Sequence, residues 1–484
     1  MQPTIAAPVP PPQSKRPWQV LAIVSAGVFM ASLDVTIVNI AFPDIAADFA
    51  GTSLASLSWI LNAYAIVFAA LLVPAGRLAD TIGRKRGFLA GLSLFVVASA
   101  LCAVAVSPGM LIATRVVQAV GAAMLVPTSL ALLLPEFPPA KRAVAVGIWG
   151  ATAGVAAAIG PSLGGLLVEA SWRWVFFVNV PFGIAAAVAG RRILVEVRED
   201  SRSALPDLAG AVMLALAIGL LSLGIVKGPE WGWDSGKVIA SFAAAAALTA
   251  AFFSRSARHP APVVELGLLR VRSFASATTA ALLFSVAFFA MLLATVLFLT
   301  QVWGYSTLKA GLAISPGPLT AAVFSVIAGR LAGRFGQRAV ATPGSLIFAL
   351  GGFLWLESLG PQPNYLADFL PGMIIGGVGV GLTLSTLASA ATASLPPDRL
   401  ATGSGVFQMA RQIGAVLGIA ILVAILGTPN PADPTGTFDN AWAFMILSSL
   451  GAGAAASLMG RIGVAEAPPA HGPIATPIAH EGAS

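Results

Sequence analysis

Long apolar runs, repeated along the whole chain, limit what this sequence can fold into more than any other feature. Hydrophobic residues make up 57% of its 484 residues and charged residues only 10%, against roughly 25% charged in soluble globular proteins. A helix that crosses a bilayer needs about 20 predominantly apolar residues. The fourteen runs of this kind exclude an ordinary soluble enzyme. The predicted spans are 18–42, 55–76, 87–106, 110–134, 144–169, 175–195, 208–227, 237–254, 274–300, 310–330, 341–359, 367–394, 405–427 and 441–460.

These spans predict an all-α polytopic membrane protein with 14 transmembrane helices, arranged as two six-helix bundles and a two-helix insert. The first bundle is expected to cover 18–195 and the second 274–460, with linkers and helices seven and eight in 196–273. A Pro-rich cytoplasmic tail precedes the first span at 1–17. The segment 461–484 is rich in Pro, Ala and Gly, which predicts a disordered cytoplasmic tail.

The charge pattern predicts the orientation of the chain in the membrane. Lys and Arg together number 27 against 20 Asp and Glu, for a net charge of +7. Most of the basic residues fall in every second predicted loop, beginning with the N-terminal tail, and cytoplasmic loops are the ones that retain positive charge. Both termini are therefore expected in the cytoplasm, with the chain in the inner (cytoplasmic) membrane. This alternation explains the basic excess without a nucleic-acid partner.

The residues that build metal, disulfide and nucleotide sites are scarce. Cys102 is the single cysteine, and the three histidines, His259, His471 and His480, lack the spacing of a zinc site. No Gly-x-x-x-x-Gly-Lys-Ser/Thr loop is present, so the chain is not expected to hydrolyse nucleotide. We therefore expect no metal site and no enzymatic activity.

One short motif occurs twice. The segment 76–84, GRLADTIGR, returns as GRLAGRFGQ at 329–337, an offset of 253 residues (329 − 76). Each copy follows the second span of a six-span block, so both belong to an inner loop. Matched halves are how many secondary transporters alternate access to a site near the bilayer midplane. The repeat therefore predicts two pseudo-symmetric bundles.

Asp34 is the only carboxylate well inside a predicted span, where an ionised carboxylate costs at least about 2.5 kcal/mol. At about 1.5 Å per residue from the start of the first span, it lies about 24 Å above the inner surface. Arg115, on a helix that runs the other way, lies about 7–8 Å below the outer surface of a core roughly 30 Å thick. Because the two depths coincide, we expect Asp34 to face Arg115 across a polar cavity and to take up and release a coupling proton.

Five segments resemble motifs of one family. They are 33–43 in the first span, 76–86 in the following inner loop, 115–121 in the fourth span, 160–165 in the fifth and 172–183 at the start of the sixth. In this order and on these helices, the sequence resembles the major facilitator superfamily and, within it, the fourteen-helix drug:proton antiporters of the multidrug efflux type. The resemblance covers nearly the whole chain and points to the same two residues, Asp34 and Arg115.

The resemblance implies a proton-driven antiporter that exports small hydrophobic or amphiphilic compounds, such as drugs, antibiotics and dyes. An exporter of one endogenous metabolite on the same fold is an alternative, and a proton-coupled uptake symporter is another. The expected partners are the lipid bilayer, protons and the substrate, with no nucleic acid and a monomeric chain. The proton gradient would supply the energy, so no cofactor is expected.

Two segments are candidates for conformational gating. In the inner loop, Asp80 is the acidic member of a basic stretch and can pair with Arg84. In the fifth span, Pro161 removes a helical hydrogen bond, and small residues beside it allow close packing. The resemblance implies that the loop acts as a conformational latch and that the fifth span favours antiport. The alternative for the loop is that its charges only set membrane topology. The alternative for the fifth span is that its small residues only allow ordinary helix packing. The gating candidates are Gly76, Asp80, Gly83, Arg84, Arg86, Gly160, Pro161, Gly164 and Gly165.

Polar and aromatic residues inside the spans are candidates for lining a substrate site, because amphiphilic ligands favour aromatic walls with few polar groups. Arg411 lies about six residues into the thirteenth predicted span, about 9 Å from the inner surface. It either snorkels to that surface or faces the cavity with Gln408 and Gln412, where it would favour substrates with an anionic or acceptor group. The candidates are Asn39, Asn62, Tyr64, Gln118, Phe288, Phe289, Gln408 and Arg411.

Overall fold

The computed structural model describes residues 15–197, 205–393, 395–396, 399–427 and 435–460. This part of the chain forms fourteen long helices joined by short connections. The helices are α1 (Arg16–Asp48), α2 (Leu54–Ile82), α3 (Arg84–Ala103), α4 (Pro108–Leu133), α5 (Pro139–Ala170), α6 (Trp174–Ile193), α7 (Leu208–Trp231), α8 (Gly236–Ser256), α9 (Arg272–Val302), α10 (Thr307–Phe335), α11 (Arg338–Ser358), α12 (Tyr365–Ala393), α13 (Leu400–Leu426) and α14 (Gly436–Ser457). We call the end at which α1 begins the inner end and the opposite end the outer end.

Length and composition make these helices membrane-spanning elements. Thirteen of them, α1 to α13, are long and apolar enough to cross a bilayer. The last helix, α14, has 22 residues, which is also enough for a crossing. The predicted fold class, an all-α polytopic membrane protein with fourteen helices, is confirmed.

The helices pack in two sets that repeat the same arrangement. Among α1 to α6, the most extensive contacts are α3 with α4, α1 with α5 and α2 with α4. Among α9 to α14, they are α11 with α12, α9 with α13 and α10 with α12. Adding eight to each helix number of the first three pairs gives the second three pairs. The helices α1–α6 and α9–α14 therefore form two related bundles.

The two copies of the sequence repeat end their helices in the same way. α2 ends before Gly83 and α10 before Gly336, and 253 residues (336 − 83) again separate the two positions. The φ angle is 108° at Gly83 and 87° at Gly336, in the left-handed region that favours glycine. Each glycine N–H donates to a carbonyl four residues earlier, Ala79 or Ala332, at 2.9 Å. The motif therefore repeats a helix terminus with a backbone conformation that requires glycine.

The inserted hairpin of α7 and α8 packs at the seam between the bundles. α7 contacts α2 of the first bundle and α13 of the second, and α8 packs on α7. Nδ2 of Asn62 on α2 donates to Oγ of Ser222 on α7 at 3.5 Å. At the start of α7, Asp207 accepts a hydrogen bond from Nε of Arg255 on α8 at 2.7 Å. The hairpin thus covers the α2–α13 contact from one side.

Some helix bounds differ from the predicted spans because polar residues continue a helix past its apolar run. α13 begins at Leu400 rather than near 405, since Thr402 and Ser404 belong to its first turns. Arg411 therefore lies about 16 Å from the start of α13. At the N-terminus, α1 already begins at Arg16. Residues 1–14 of the expected N-terminal tail and the expected disordered tail at 461–484 lie outside the described residues.

α5 and α10 meet at the outer end and separate toward the inner end. A Cβ on Gly165 of α5 would stand 2.7 Å from Cα of Leu308 on α10, so the two backbones touch there. Further inward, Gly147 and Gly150 of α5 have no atom of the described residues within 4 Å of the position that a Cβ would occupy. The same holds for Gly329 on the inner part of α10, about five turns from Gly311 and on the same face. The seam between these helices is closed at the outer end and open at the inner end.

Candidate functional site

A fully buried ion pair joins α1 and α4. The side chains of Asp34 and Arg115 are 0% and 1% exposed, and Nη1 of Arg115 donates to Oδ2 of Asp34. The expectation of a polar cavity between them is wrong, because the two groups touch directly. Opposite charges withdrawn from water attract most strongly in contact. Removing either partner of such a pair leaves an unpaired buried charge, at a cost of about 3–5 kcal/mol.

Gln118, one helical turn after Arg115, completes the hydrogen bonding of the pair. Its Nε2 donates to Oδ1 of Asp34 at 2.8 Å, and its Oε1 accepts from Nη1 of Arg115 at 2.6 Å. Nε2 of Gln118 also donates to Oγ of Ser99 on α3 at 2.7 Å. The same hydroxyl accepts from Nδ2 of Asn179 on α6 at 3.3 Å. This buried network links four helices of the first bundle.

Arg115 has contacts besides Asp34 and Gln118. Its Nε donates to the Ile60 carbonyl of α2 at 3.2 Å. Its guanidinium carbon lies 4.0 Å from the centroid of the Tyr64 ring, also on α2. The electron-rich face of an aromatic ring attracts a cation at this distance. Arg115 therefore connects the carboxylate of Asp34 to α2.

A small pocket lies next to the ion pair, where the two bundles meet. α1, α2 and α4 form its wall on one side, and α9 and α13 form the other. The lining residues are Val35, Asn39, Leu61, Tyr64, Ala65, Arg115, Phe289, Gln412, Ala415 and Ile419. Apolar and aromatic walls with a few polar groups are typical of small-molecule sites.

The structure places three of the residues predicted to line a substrate site in this wall. They are Asn39, Tyr64 and Phe289. Nδ2 of Asn39 donates to the Val35 carbonyl at 2.7 Å. Phe288 packs edge-on against Phe289, with ring centroids 5.4 Å apart. The pocket wall therefore combines two amides, a phenol, a guanidinium and a phenyl ring.

The other predicted lining residues lie elsewhere. Asn62 hydrogen-bonds with Ser222 of α7, and Gln118 lies in the polar network with Asp34. Gln408 lies one turn inward of Gln412 on α13, and its Oε1 accepts from Nη1 of Arg411 at 3.0 Å. A helix that is apolar on all sides gives no sequence signal for its rotation about its own axis. For this reason Asn62 was predicted to line the substrate site, whereas the structure places it against α7.

An ion pair at the inner loop joins the last turn of α2 to the first residue of α3. Nε of Arg84 donates to Oδ1 of Asp80 at 2.8 Å, and the side chains are 19% and 32% exposed. A partly exposed pair of this kind contributes about 0.2–1 kcal/mol. Nearby, Gly76 allows α2 to approach Pro127 of α4: a Cβ on Gly76 would stand 3.1 Å from Cβ of Pro127. In the second copy of the motif, Gly333 takes the place of Asp80.

The same loop is tied to the end of α6 through Glu196. Its Oε1 accepts from the backbone N–H of Lys85 at 3.0 Å, and its Oε2 lies 3.7 Å from Nε of Arg86. The first N–H groups of a helix need acceptors from outside it, and Gly83 has no side chain to supply one to α3. Glu196 is therefore a cap for α3 that comes from a distant part of the chain.

The predicted gating segment of α5 has two packed faces. Gly160 and Gly164 pack against α1 within their own bundle. Pro161 and Gly165 face α10 of the other bundle, where the Pro161 carbonyl lies against Gly311. The small residues therefore allow α5 to pack closely both inside its bundle and across the seam.

Several contributing residues were not singled out as site residues from the sequence. Among them, Ser99 and Cys102 lie three residues apart on α3, and Cys102 Sγ donates to Oγ1 of Thr114 at 3.2 Å. Small polar residues at this spacing inside an apolar helix are the signal that indicates a polar face. Another is Glu196, an acid next to a basic inner loop.

Two related bundles of membrane-spanning helices around a shared pocket define a multi-pass membrane transporter rather than an enzyme. The chain belongs to the Major Facilitator Superfamily, whose family model matches residues 24–419. The family expected from the five motifs is confirmed.

Several proteins are similar to this chain. It is 33% identical over 456 residues to the Tetracenomycin C resistance and export protein of Streptomyces glaucescens, covering 94% of this chain and 84% of that one. It is 36% identical over 412 residues to the Multidrug resistance protein Stp of Mycobacterium tuberculosis, covering 84% and 76%. A solved structure of a bacterial homologue of the human lysosomal transporter Spinster, inward-facing and unoccupied, matches with a TM-score of 0.64 at 16% identity, over 93% of this chain and 98% of that one. This last likeness concerns the fold.

Proposed function

We propose that this protein is a proton-driven antiporter that exports small hydrophobic or amphiphilic compounds, such as antibiotics and dyes, from the cytoplasm. Similar proteins from two bacteria are named for resistance to, or export of, tetracenomycin C and for multidrug resistance. Their bacterial origin supports a location in the cytoplasmic membrane. The distribution of Lys and Arg supports an inner end that faces the cytoplasm, with both termini on that side.

The observation that carries the proposal is the contact of Asp34 with a pocket residue. Arg115 binds the carboxylate of Asp34 and also lines the pocket between the bundles. Protonation of Asp34 removes its negative charge and with it most of the attraction for Arg115. The guanidinium then retains the Ile60 carbonyl, the Gln118 side-chain oxygen and the Tyr64 ring. A proton on Asp34 therefore changes the wall of the pocket through one residue, which couples proton binding to substrate binding.

Transport requires that the two ends open in turn around the pocket. We assign the outer seal to the α5 segment of Gly160, Pro161, Gly164 and Gly165, because two of these residues contact α10 across the seam. We assign the inner latch to the connection between α2 and α3. Its residues are Gly76 and Asp80 near the end of α2, Gly83 between the helices, and Arg84 and Arg86 at the start of α3. The described conformation, sealed between α5 and α10 at the outer end, corresponds in this proposal to a state open to the cytoplasm.

The proton gradient provides enough energy for this exchange. One proton that moves inward across 100 mV releases about 2.3 kcal/mol. This energy concentrates a neutral compound about 50-fold in a one-for-one exchange.

Everted membrane vesicles test the proposal, because respiration acidifies their interior and exported compounds enter the lumen. Vesicles with the wild-type protein should accumulate at least one of a panel of cationic, neutral and anionic aromatic dyes, and the dye should partly dissipate the pH gradient. A protonophore should abolish the accumulation. Accumulation that persists after the proton gradient has collapsed, or no accumulation of any dye, would overturn the proposed function.

A further inference from the structure

Arg411 is a second cation inside the membrane-spanning region, and its surroundings differ from those of Arg115. Asp34 neutralises Arg115, but no carboxylate among the described residues pairs with Arg411. Its Nη1 donates to Gln408, and its Nε is buried without an acceptor in the described part of the chain. An arginine side chain keeps its charge in proteins and offers five N–H donors. The guanidinium therefore has donors and a charge that its own surroundings do not satisfy.

The register of α13 places Arg411 at the edge of the helix face that lines the pocket. Gln412, Ala415 and Ile419 line the pocket. At 3.6 residues per turn, Arg411 lies about 40° from Ala415 and about 80° from Ile419 around the helix, one turn inward of Ala415. The buried Nε shows that the Arg411 side chain packs among the helices, which favours the pocket-facing alternative over snorkelling to the inner surface.

The neighbouring face of α13 packs on α9 at a residue that also lacks a partner. A Cβ on Gly414, one turn outward of Arg411, would stand 2.8 Å from Cβ of Ser285. The Ser285 hydroxyl is buried and has no hydrogen-bond partner among the described residues. Arg411 thus lies between the pocket wall and a buried donor, with Gln408 beside it. The Arg411 guanidinium, the Gln408 amide and the Ser285 hydroxyl can each donate a hydrogen bond to an acidic oxygen.

We infer that Arg411 binds the acidic group of the substrate, and that the substrates include aromatic organic anions such as sulfonates or carboxylates. This inference rests on the proposed function and names its substrate class. A guanidinium binds a carboxylate or sulfonate through two parallel hydrogen bonds. Tyr64 and Phe289 in the pocket wall provide aromatic surface for the body of the same molecule.

An anionic substrate changes the electrical balance of transport. When one proton moves inward and one monovalent anion moves outward, two positive charges in total are transferred inward. The same exchange with a neutral compound transfers one. Export of an anion therefore depends more steeply on membrane potential than export of its neutral counterpart.

Two naphthalene dyes that differ at one group provide the test. Dansyl acid carries a sulfonate, and dansyl amide carries a neutral sulfonamide at the same position. Purified protein in proteoliposomes with an acidic interior is assayed for uptake of each dye, with the membrane potential clamped by potassium and valinomycin. The variants are Arg411→Gln, Arg411→Lys and, as a control for charge loss at the N-cap of the same helix, Arg399→Gln.

Wild type and Arg399→Gln should take up both dyes. Arg411→Gln should lose about 10- to 100-fold in kcat/KM for dansyl acid, the effect of removing a hydrogen-bonded charge, while uptake of dansyl amide stays within about twofold. Arg411→Lys should retain part of the dansyl acid uptake, because lysine keeps the positive charge but cannot form the bidentate hydrogen bonds of a guanidinium. Uptake by wild type should depend more steeply on the clamped potential for dansyl acid than for dansyl amide.

Equal loss of both dyes in Arg411→Gln and in Arg411→Lys would show a structural role and overturn the inference. Uptake of dansyl amide alone by wild type would also overturn it, while leaving the proposed function intact. Failure of wild type to take up any dye under a proton gradient would overturn the proposed function and the inference together.

Discussion

Gly311 of α10 lies directly against the backbone carbonyl of Pro161 of α5, at the outer end of the seam between the two bundles. One turn further along α5, Gly165 makes the same kind of contact with Leu308. No side chain separates the two helices at these points. The closed outer end therefore depends on residues without a Cβ.

Gly311→Val should weaken this outer seal. The valine side chain would occupy the space of the Pro161 backbone, and overpacking of this kind costs about 1–3 kcal/mol, a 5- to 150-fold change in an equilibrium between two conformations. Spin labels on Ala170 and Ser306, at the outer ends of α5 and α10, should then report longer distances than in wild type.

Gly147→Val is the matched control, because no atom lies within 4 Å of its Cβ position. It introduces the same residue into α5, the other helix of the seam, and should leave the distance between the labels unchanged. If Gly311→Val also left that distance unchanged, the Gly311–Pro161 contact would not be the seal.

Glu196→Ala should destabilise the first bundle by about 1 kcal/mol, the usual effect of losing a helix N-cap. The reason is that Glu196 accepts the Lys85 N–H at the start of α3, where Gly83 has no side chain. Glu196→Gln retains an acceptor oxygen and should lose less. Thermal unfolding of the purified protein measures both variants, with Glu169→Ala as an exposed control. Equal midpoints for Glu196→Ala and wild type would refute the capping role.

Acidification should weaken the start of the α7–α8 hairpin. Burial acts to raise the pKa of Asp207, but the Gly210 N–H, the Arg255 guanidinium and, to a smaller extent, His259 outweigh it and hold that pKa below its ordinary value of 3.8. Because the folded-state pKa is the lower one, this stabilisation is fully present above about pH 4 and is lost as the pH falls through the folded-state pKa.

Hydrogen exchange of α7 and α8 in wild type and in Asp207→Asn measures this dependence. Asparagine keeps the N-cap but removes the charge that Arg255 binds. Wild type should be better protected at pH 7, and the difference should vanish as the pH falls below the pKa. A difference of constant size over the whole range would contradict the account.

The helices and their grouping into two related bundles could be predicted from the sequence, whereas most side-chain partners could not. Fourteen runs of apolar residues fix fourteen helices because a bilayer leaves few alternatives for the backbone. The depths of Asp34 and Arg115 could be estimated from helix rise alone, and the structure places the two residues in contact. Nothing in the sequence indicated that they would touch without a cavity between them.

Rotation and exact helix ends were harder to predict. A helix that is apolar all round carries no signal for which face meets which neighbour, so the contact of Asn62 with Ser222 on the inserted hairpin was not foreseen. The start of α13 was misjudged because hydropathy marks where apolar residues begin, not where the helix begins. Glu196 caps α3 from 111 residues away, and such a long-range contact leaves no local pattern.

The central claim, that Asp34 carries the coupling proton, is tested most directly by Asp34→Asn. The assay compares accumulation driven by a pH gradient with exchange at equilibrium, in vesicles and with a dye that wild type transports. Asparagine keeps the size of the side chain but binds no proton in this range. Glu169→Gln removes an exposed carboxylate and serves as the control.

Asp34→Asn should lose gradient-driven accumulation, up to about 50-fold for a gradient equivalent to about 100 mV, because a side chain that binds no proton cannot couple the dye to the gradient. Exchange of labelled for unlabelled dye should continue, since the pocket walls remain, and Glu169→Gln should behave like wild type. Accumulation by Asp34→Asn at the wild-type level, still abolished by a protonophore, would contradict the assignment.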